Sequence, residues 1–269
     1  MRNTLGTDPE AGLDIEPNPC VPGRCKHTNF IHDIVFNNVS FEQNWGGGIL
    51  LSLGSNLGNQ SMPITVQFDD CKVNGTGVSE PLRGSTVELE HPARRSVKYG
   101  AQLGGANPNA VVISGVGAPY LNTGEIRFNR LSVANASGGD GLTITNVPAR
   151  GWASVIIDGL TVENVGFDAK SRPPTLSPIN VFGSFDDGNI SRGVPTGAIT
   201  ILNATVRDSS ARPFFRAVDP NGFSGVSFSG VISNPFGCQA NVEMGNPIAD
   251  VNPDRLPHDQ LNLDAQCQP

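Results

Sequence analysis

The sequence predicts an all-β chain wound as a parallel solenoid. Three observations predict it. The 269 residues include 32 Gly and 21 Pro, about a fifth of the chain, and that density disfavours long amphipathic helices. An apolar-x-x-apolar-x-apolar phrase, often carrying Asn or Asp, recurs along the chain. Between its copies sits a second phrase, a short alternating strand that usually ends in a turn. The starts of this second phrase step by 36 to 38 residues, with one longer step.

In chain order, the alternating strands begin at Leu13, Leu51, Val87, Leu142, Ile179 and Phe215. The first phrase appears at Phe36–Phe41, Phe68–Val73, Phe128–Val133, Ile157–Val162 and Ile201–Val206, with a weaker copy from Phe228. A loop insertion between residues 91 and 125 explains the long step. Each strand is too short to hide its apolar side alone, so stacking like repeats buries one continuous core. Gly and Asn punctuate the corners, where positive φ is needed. No helical period separates the strands, which disfavours a βαβ sheet. A β-sandwich would need a series of two-residue hairpin turns, and the chain lacks one. Residues 1–237 form the predicted solenoid domain. Residues 238–269 lack the repeat and read as an irregular C-terminal cap over the last edge.

The run from Asn3-Thr4 through Gly6-Thr7-Asp8-Pro9-Glu10 to Leu13-Asp14-Ile15-Glu16-Pro17-Asn18 precedes an Ile34-Val35-Phe36-Asn37-Asn38 strand and a Gly46-Gly47-Gly48 turn. In this it resembles right-handed parallel β-helix proteins of the pectate-lyase-like superfamily. The resemblance covers roughly residues 1–235 and is specific for fold rather than reaction. It implies a chain that begins in mid-solenoid, without the earlier N-terminal coils of such proteins. It also implies a carbohydrate-active protein, since the superfamily holds polysaccharide lyases, glycoside hydrolases, uronan epimerases and phage tailspikes.

Strand period 2 places the candidate chemistry. With Leu13 and Ile15 inward, Asp14 and Glu16 point outward. Ser52 and Gly54 take the matching places on the next strand, then Glu88 and Glu90, then Thr143 and Thr145, then Asn180. The last strand offers Asp219 and Arg216. Parallel strands lie about 4.8 Å apart, so Asp14 and Glu88 would be about 9.6 Å apart across a small-residue seat. An inverting glycosidase separates its carboxyls by about 6.5–9.5 Å. The candidate catalytic residues are therefore Asp14, Glu16, Glu88 and Glu90, and turn capping or a solvated strand edge is the competing role. The insertion supplies Arg94, Arg95 and Lys98, which either bind a uronate carboxylate or sulfate or pair with the glutamates, and His91 and Tyr99, one of which is the candidate acid or base for β-elimination. Trp45 is a sugar-stacking platform or a corner core residue. With Ser52, Thr143, Asn180 and Arg216, these complete the candidate substrate-binding set. Asp69-Asp70 and Asp186-Asp187 read as turn or surface acids.

The five cysteines favour an oxidising compartment, extracellular or at a cell surface. A local Cys20–Cys25 disulfide fits the short Cys20-Val-Pro-Gly-Arg-Cys25 loop, Cys238 and Cys267 staple the C-terminal region, and Cys71 is a buried free thiol. No Cys–His spacing suits zinc, so no metal is expected. The net charge of −7 argues against duplex nucleic acid as a partner, and no apolar run is long enough for a membrane span. The Met1-Arg2-Asn3 start has no apolar segment of the signal-peptide kind. The expected partner is a polysaccharide, bound by a monomer or trimer. The acidic strands favour a glycoside hydrolase. The alternatives are a lyase acting on a uronic-acid polymer, with Ca²⁺ or the basic loop neutralising the substrate, and a non-catalytic glycan-binding or structural module.

Overall fold

The computed structural model describes residues 11–15, 31–44, 46–53, 63–76, 109–115, 124–136, 139–149, 153–166, 177–183, 195–219, 221–244 and 261–268. Its named elements are all β-strands. In chain order they are β1 (Ala11–Ile15), β2 (Ile34–Asn37), β3 (Ser40–Glu42), β4 (Gly47–Ser52), β5 (Ile64–Asp69) and β6 (Lys72–Asn74). Then come β7 (Val111–Ser114), β8 (Gly124–Ala134), β9 (Leu142–Thr145), β10 (Ser154–Glu163) and β11 (Ile179–Phe182). The last are β12 (Thr196–Arg207), β13 (Phe215–Asp219), β14 (Phe223–Ser233), β15 (Ala240–Met244) and β16 (Leu261–Gln268).

Two parallel sheets result. One has seven strands in the order β1-β4-β7-β9-β11-β13-β15. The other has nine, in the order β16-β14-β12-β10-β8-β5-β2, with β3 and β6 alongside. The chain passes alternately from one sheet to the other, so each sheet gains a strand with every repeat.

Register stacks like on like. In the small sheet Leu13, Ile49, Val111, Leu142, Ile179, Phe215 and Ala240 are level, as are Ile15, Leu51, Ile113, Ile144, Val181, Ala217 and Val242. In the large sheet Phe36, Phe68, Phe128, Ile157, Ile201, Phe228 and Leu263 are level. The first three rings stack nearly parallel, with centroids 4.8 and 4.4 Å apart. These columns meet in one core, and burying each Phe, Ile, Leu or Val in it is worth about 1.5–3 kcal/mol.

The six-residue phrase is explained by a bend. In β5–β6, Phe68, Cys71 and Val73 are all buried, although strict alternation would turn Cys71 outward. Asp70, between them, is left-handed at φ 54°. One such residue bends the strand and returns the next apolar side chain to the core. Asn38, Arg130 and Asn203 do the same at φ 53, 58 and 52°, and Gly159 at 75°. A second left-handed set, Gln43, Gly75, Asn135 and Asn164, follows the ends of β3, β6, β8 and β10. There Asn135 donates to Asn74 at 2.9 Å and Asn164 donates to Asn135 at 2.8 Å, a short amide ladder.

The small sheet corrects the expected register in two places. Leu51 is level with Ile15, two residues from its expected match with Leu13. The slip of two preserves facing, so Leu51 is still inward. The strand between β4 and β9 is Val111–Ser114, not Val87–Glu90, which lies outside the described residues. The long insertion therefore precedes this strand instead of following it. Cys238 and Cys267 are disulfide-bonded and Cys71 is a buried free thiol, as expected. Cys20 and Cys25 lie outside the described residues.

Candidate functional site

Four of the expected site residues share one column of the small sheet. Asp14, Leu50, Val112, Thr143, Asn180, Arg216 and Asn241 are level in sequence of strands. Ser52 stands in the next column, level with Ser114. Val112 occupies the place expected for Glu88, so no second acid faces Asp14 there. The middle of this face is also covered: Thr143 and Asn180 are fully buried, and Val112 forms a small apolar cluster with Ala11 and Leu50, while Asp14 and Arg216 toward its ends are partly exposed. A strand buried on both faces is built from such continuous apolar runs. Arg216 lies 5.4 Å above the Phe182 ring and 3.9 Å from Glu243. Asp219 does not face outward. Its buried carboxylate accepts the Thr196 and Asn221 N–H groups at 2.8 and 2.7 Å and the Thr196 hydroxyl at 2.5 Å. Glu16, Trp45, Glu88, Glu90, His91, Arg94, Arg95, Lys98 and Tyr99 lie outside the described residues.

An open cleft lies elsewhere, along the bends of the large sheet. It encloses about 690 Å³, and Asn38, Asp70, Lys72, Arg130, Ser132 and Thr161 supply its polar lining. The bend makes it: residues before and after each left-handed position turn their outward side chains toward one another across a corner. It spans four successive strands, a length of about 14 Å at one strand spacing per step.

Across the floor, Arg130 Nε and Nη2 donate to the two Asp70 oxygens at 2.5 and 2.6 Å. The Arg130 guanidinium holds the Asp70 carboxyl below the usual carboxylate range. Beside it, Asn129 donates to Asp69 at 2.6 Å, Gln67 donates to the other Asp69 oxygen at 2.7 Å, and Asn203 donates to Asp158 at 2.7 Å. These acids are hydrogen-bond acceptors held in place, and the lowering at Asp70 is the reverse of what a general acid needs. The Cys71 thiol lies beneath the floor, and burial pushes its pKa up, the reverse of what an activated nucleophile requires. The cleft is equipped to exchange hydrogen bonds with a polar ligand.

Sequence reasoning passed over Lys72, Arg130, Ser132 and Thr161 and read Asp70 as a surface acid. The signal was the polar pair inside each six-residue phrase: Asn37-Asn38, Asp69-Asp70, Asn129-Arg130, Asp158-Gly159. Asn, Asp and Gly are the residues that take left-handed backbone most readily. Their recurrence at one place in the phrase marks the bend, and with it the corner where the cleft forms.

No protein family matches the chain, and no curated protein or solved structure matches it either.

Proposed function

We propose that the two sheets are walls of one right-handed parallel β-helix of the pectate-lyase-like kind, and that the protein binds a polysaccharide in the cleft along its bends. The cleft carries the reading: one strand step after another presents an amide, a hydroxyl or a charge at the same level. An extended polymer of similar repeating units meets similar donors and acceptors at each step. Alternate passage between the sheets in constant register supports the β-helix. The Cys238–Cys267 disulfide supports an oxidising, extracellular setting.

Binding is favoured over hydrolysis here. The acids of the cleft are held as hydrogen-bond acceptors, Asp70 by Arg130 and Asp69 by Asn129 and Gln67. The test is affinity electrophoresis of the intact protein through a panel of polysaccharides, beside Lys72→Ala and Asn38→Ala. One glycan should retard the protein, and each variant should weaken that retardation. Equal retardation of all three proteins, or none by any glycan, overturns the reading. New reducing ends would return the assignment to a hydrolase, and unsaturated uronate absorbance with them to a lyase.

A further inference from the structure

Side chains tie each approach to the small sheet to the next. Asn109 Oδ1 accepts the Asp140 N–H at 2.9 Å, Asp140 Oδ1 accepts the Ser177 N–H at 3.0 Å, and the Ser177 hydroxyl donates to the Pro213 carbonyl at 2.7 Å. Asp140 differs from the other members of this series in being ionisable. Its second oxygen, Oδ2, accepts from the Thr143 hydroxyl at 3.2 Å.

The surroundings of Asp140 suit a neutral acid better than an anion. The residue is buried, and a carboxylate has about four lone-pair sites to fill. Among the described residues Arg212 is the charged group whose field acts on it, but that guanidinium is already held by Asp208 at 2.7 Å and by the Val165 carbonyl. Asn180, whose amide nitrogen donates to the Ser177 carbonyl at 3.3 Å, has a buried Oδ1 with no donor among the described residues. A proton on Asp140 adds an O–H donor to a pocket that contains an unsatisfied acceptor. Loss of water around the carboxyl is the strongest influence and pushes its pKa up to about 6, against the smaller downward pull of Ser177, Thr143, Arg212 and Asn180.

We propose that the Asp140 carboxyl is a proton-operated latch between β9 and β11 whose contribution to stability is greater in mildly acidic surroundings than at neutral pH. The sign follows from linkage. The folded protein holds this proton more tightly than the unfolded chain does, so folding gains as pH falls from neutral through the folded-state value. The gain levels off below the ordinary aspartate range, where both states are protonated.

The experiment is denaturant unfolding of the full, disulfide-intact chain from about pH 7.5 to pH 5, for the wild type and Asp140→Asn. The variant keeps the size of the side chain and removes its charge. Relative to the variant, the unfolding constant of the wild type should fall about tenfold across that range. Every other ionisable group, the buried Asp219 included, is common to both proteins and cancels in the ratio. Parallel pH profiles would overturn the latch. Should the variant not fold, the Asp140 carboxyl carbon of the wild type is followed by NMR. A midpoint near 6 supports the proposal, and one in the ordinary aspartate range refutes it.

Discussion

Arg130 grips Asp70 from the neighbouring strand with two guanidinium nitrogens, and both residues are left-handed at the same bend. The pair is exposed, so solvent screens it and its effect on stability is small. Its pH dependence has a definite sign. The folded-state pKa of Asp70 is lowered, so whatever the pair contributes is present above the ordinary aspartate value and is lost as pH falls through the lowered one. The melting temperatures of wild type and Asp70→Asn should therefore converge in strong acid and stay apart at pH 6. Convergence already at pH 6 would contradict this. On the glycan-binding reading, Arg130→Gln weakens retardation by about tenfold, the worth of one charge-assisted hydrogen bond.

Phe68 lies fully buried between the rings of Phe36 and Phe128. Phe68→Ala should destabilise the protein by about 3–5 kcal/mol, and Phe68→Leu by less, because leucine refills part of the hole. Chemical denaturation measures both. A loss below about 1 kcal/mol for alanine would mean the column is not packed as described.

Asp208 and Arg212 form an ion pair in which both side chains are nearly buried, at 4% and 11% exposure. Replacing Arg212 by Met strands a buried carboxylate and should lose about 3–5 kcal/mol. Replacing Asp208 by Leu in the same protein should restore much of that. A double-mutant cycle from urea unfolding checks the pair, and additive losses would show that the two side chains do not depend on each other.

The Cys238–Cys267 disulfide closes a loop with a sequence separation of 29. On loop entropy alone, its removal should lower stability by about 3–4 kcal/mol. Among the described residues β16 pairs only with β14, so the effect should be strongest there. Hydrogen exchange of Cys238→Ser/Cys267→Ser should show faster exchange along Leu261–Gln268 than along β10. Unchanged protection of that strand would refute the stapling role.

The repeat was legible because apolar side chains recur at fixed places in a short phrase, and register in both sheets follows those places. Leu142, Ile179 and Phe215 are level as their spacing implies. Val111 was missed for a physical reason. Ala110-Val111-Val112-Ile113 is buried on both faces and shows no alternation, whereas Val87-Glu88-Leu89-Glu90 alternates cleanly and attracts the strand assignment. The candidate site was less legible. Thr143 and Asn180 face away from the main core, as alternation requires, but a one-dimensional pattern does not reveal that this second face is covered. Arg130 carries no local sign that its guanidinium meets Asp70, sixty residues earlier. That meeting depends on the stacking of repeats across the sixty residues that separate them.

Asn38, Asp70, Arg130, Gly159 and Asn203 share one backbone conformation and little else. The corner is fixed by main-chain geometry and by the apolar neighbours on either side, while the residue at its apex is free to be an amide, an acid, a base or nothing at all. Evolution and engineering thus inherit a rack of interchangeable sockets. Chemistry along the furrow can be rewritten one rung at a time, and the architecture underneath need not be renegotiated.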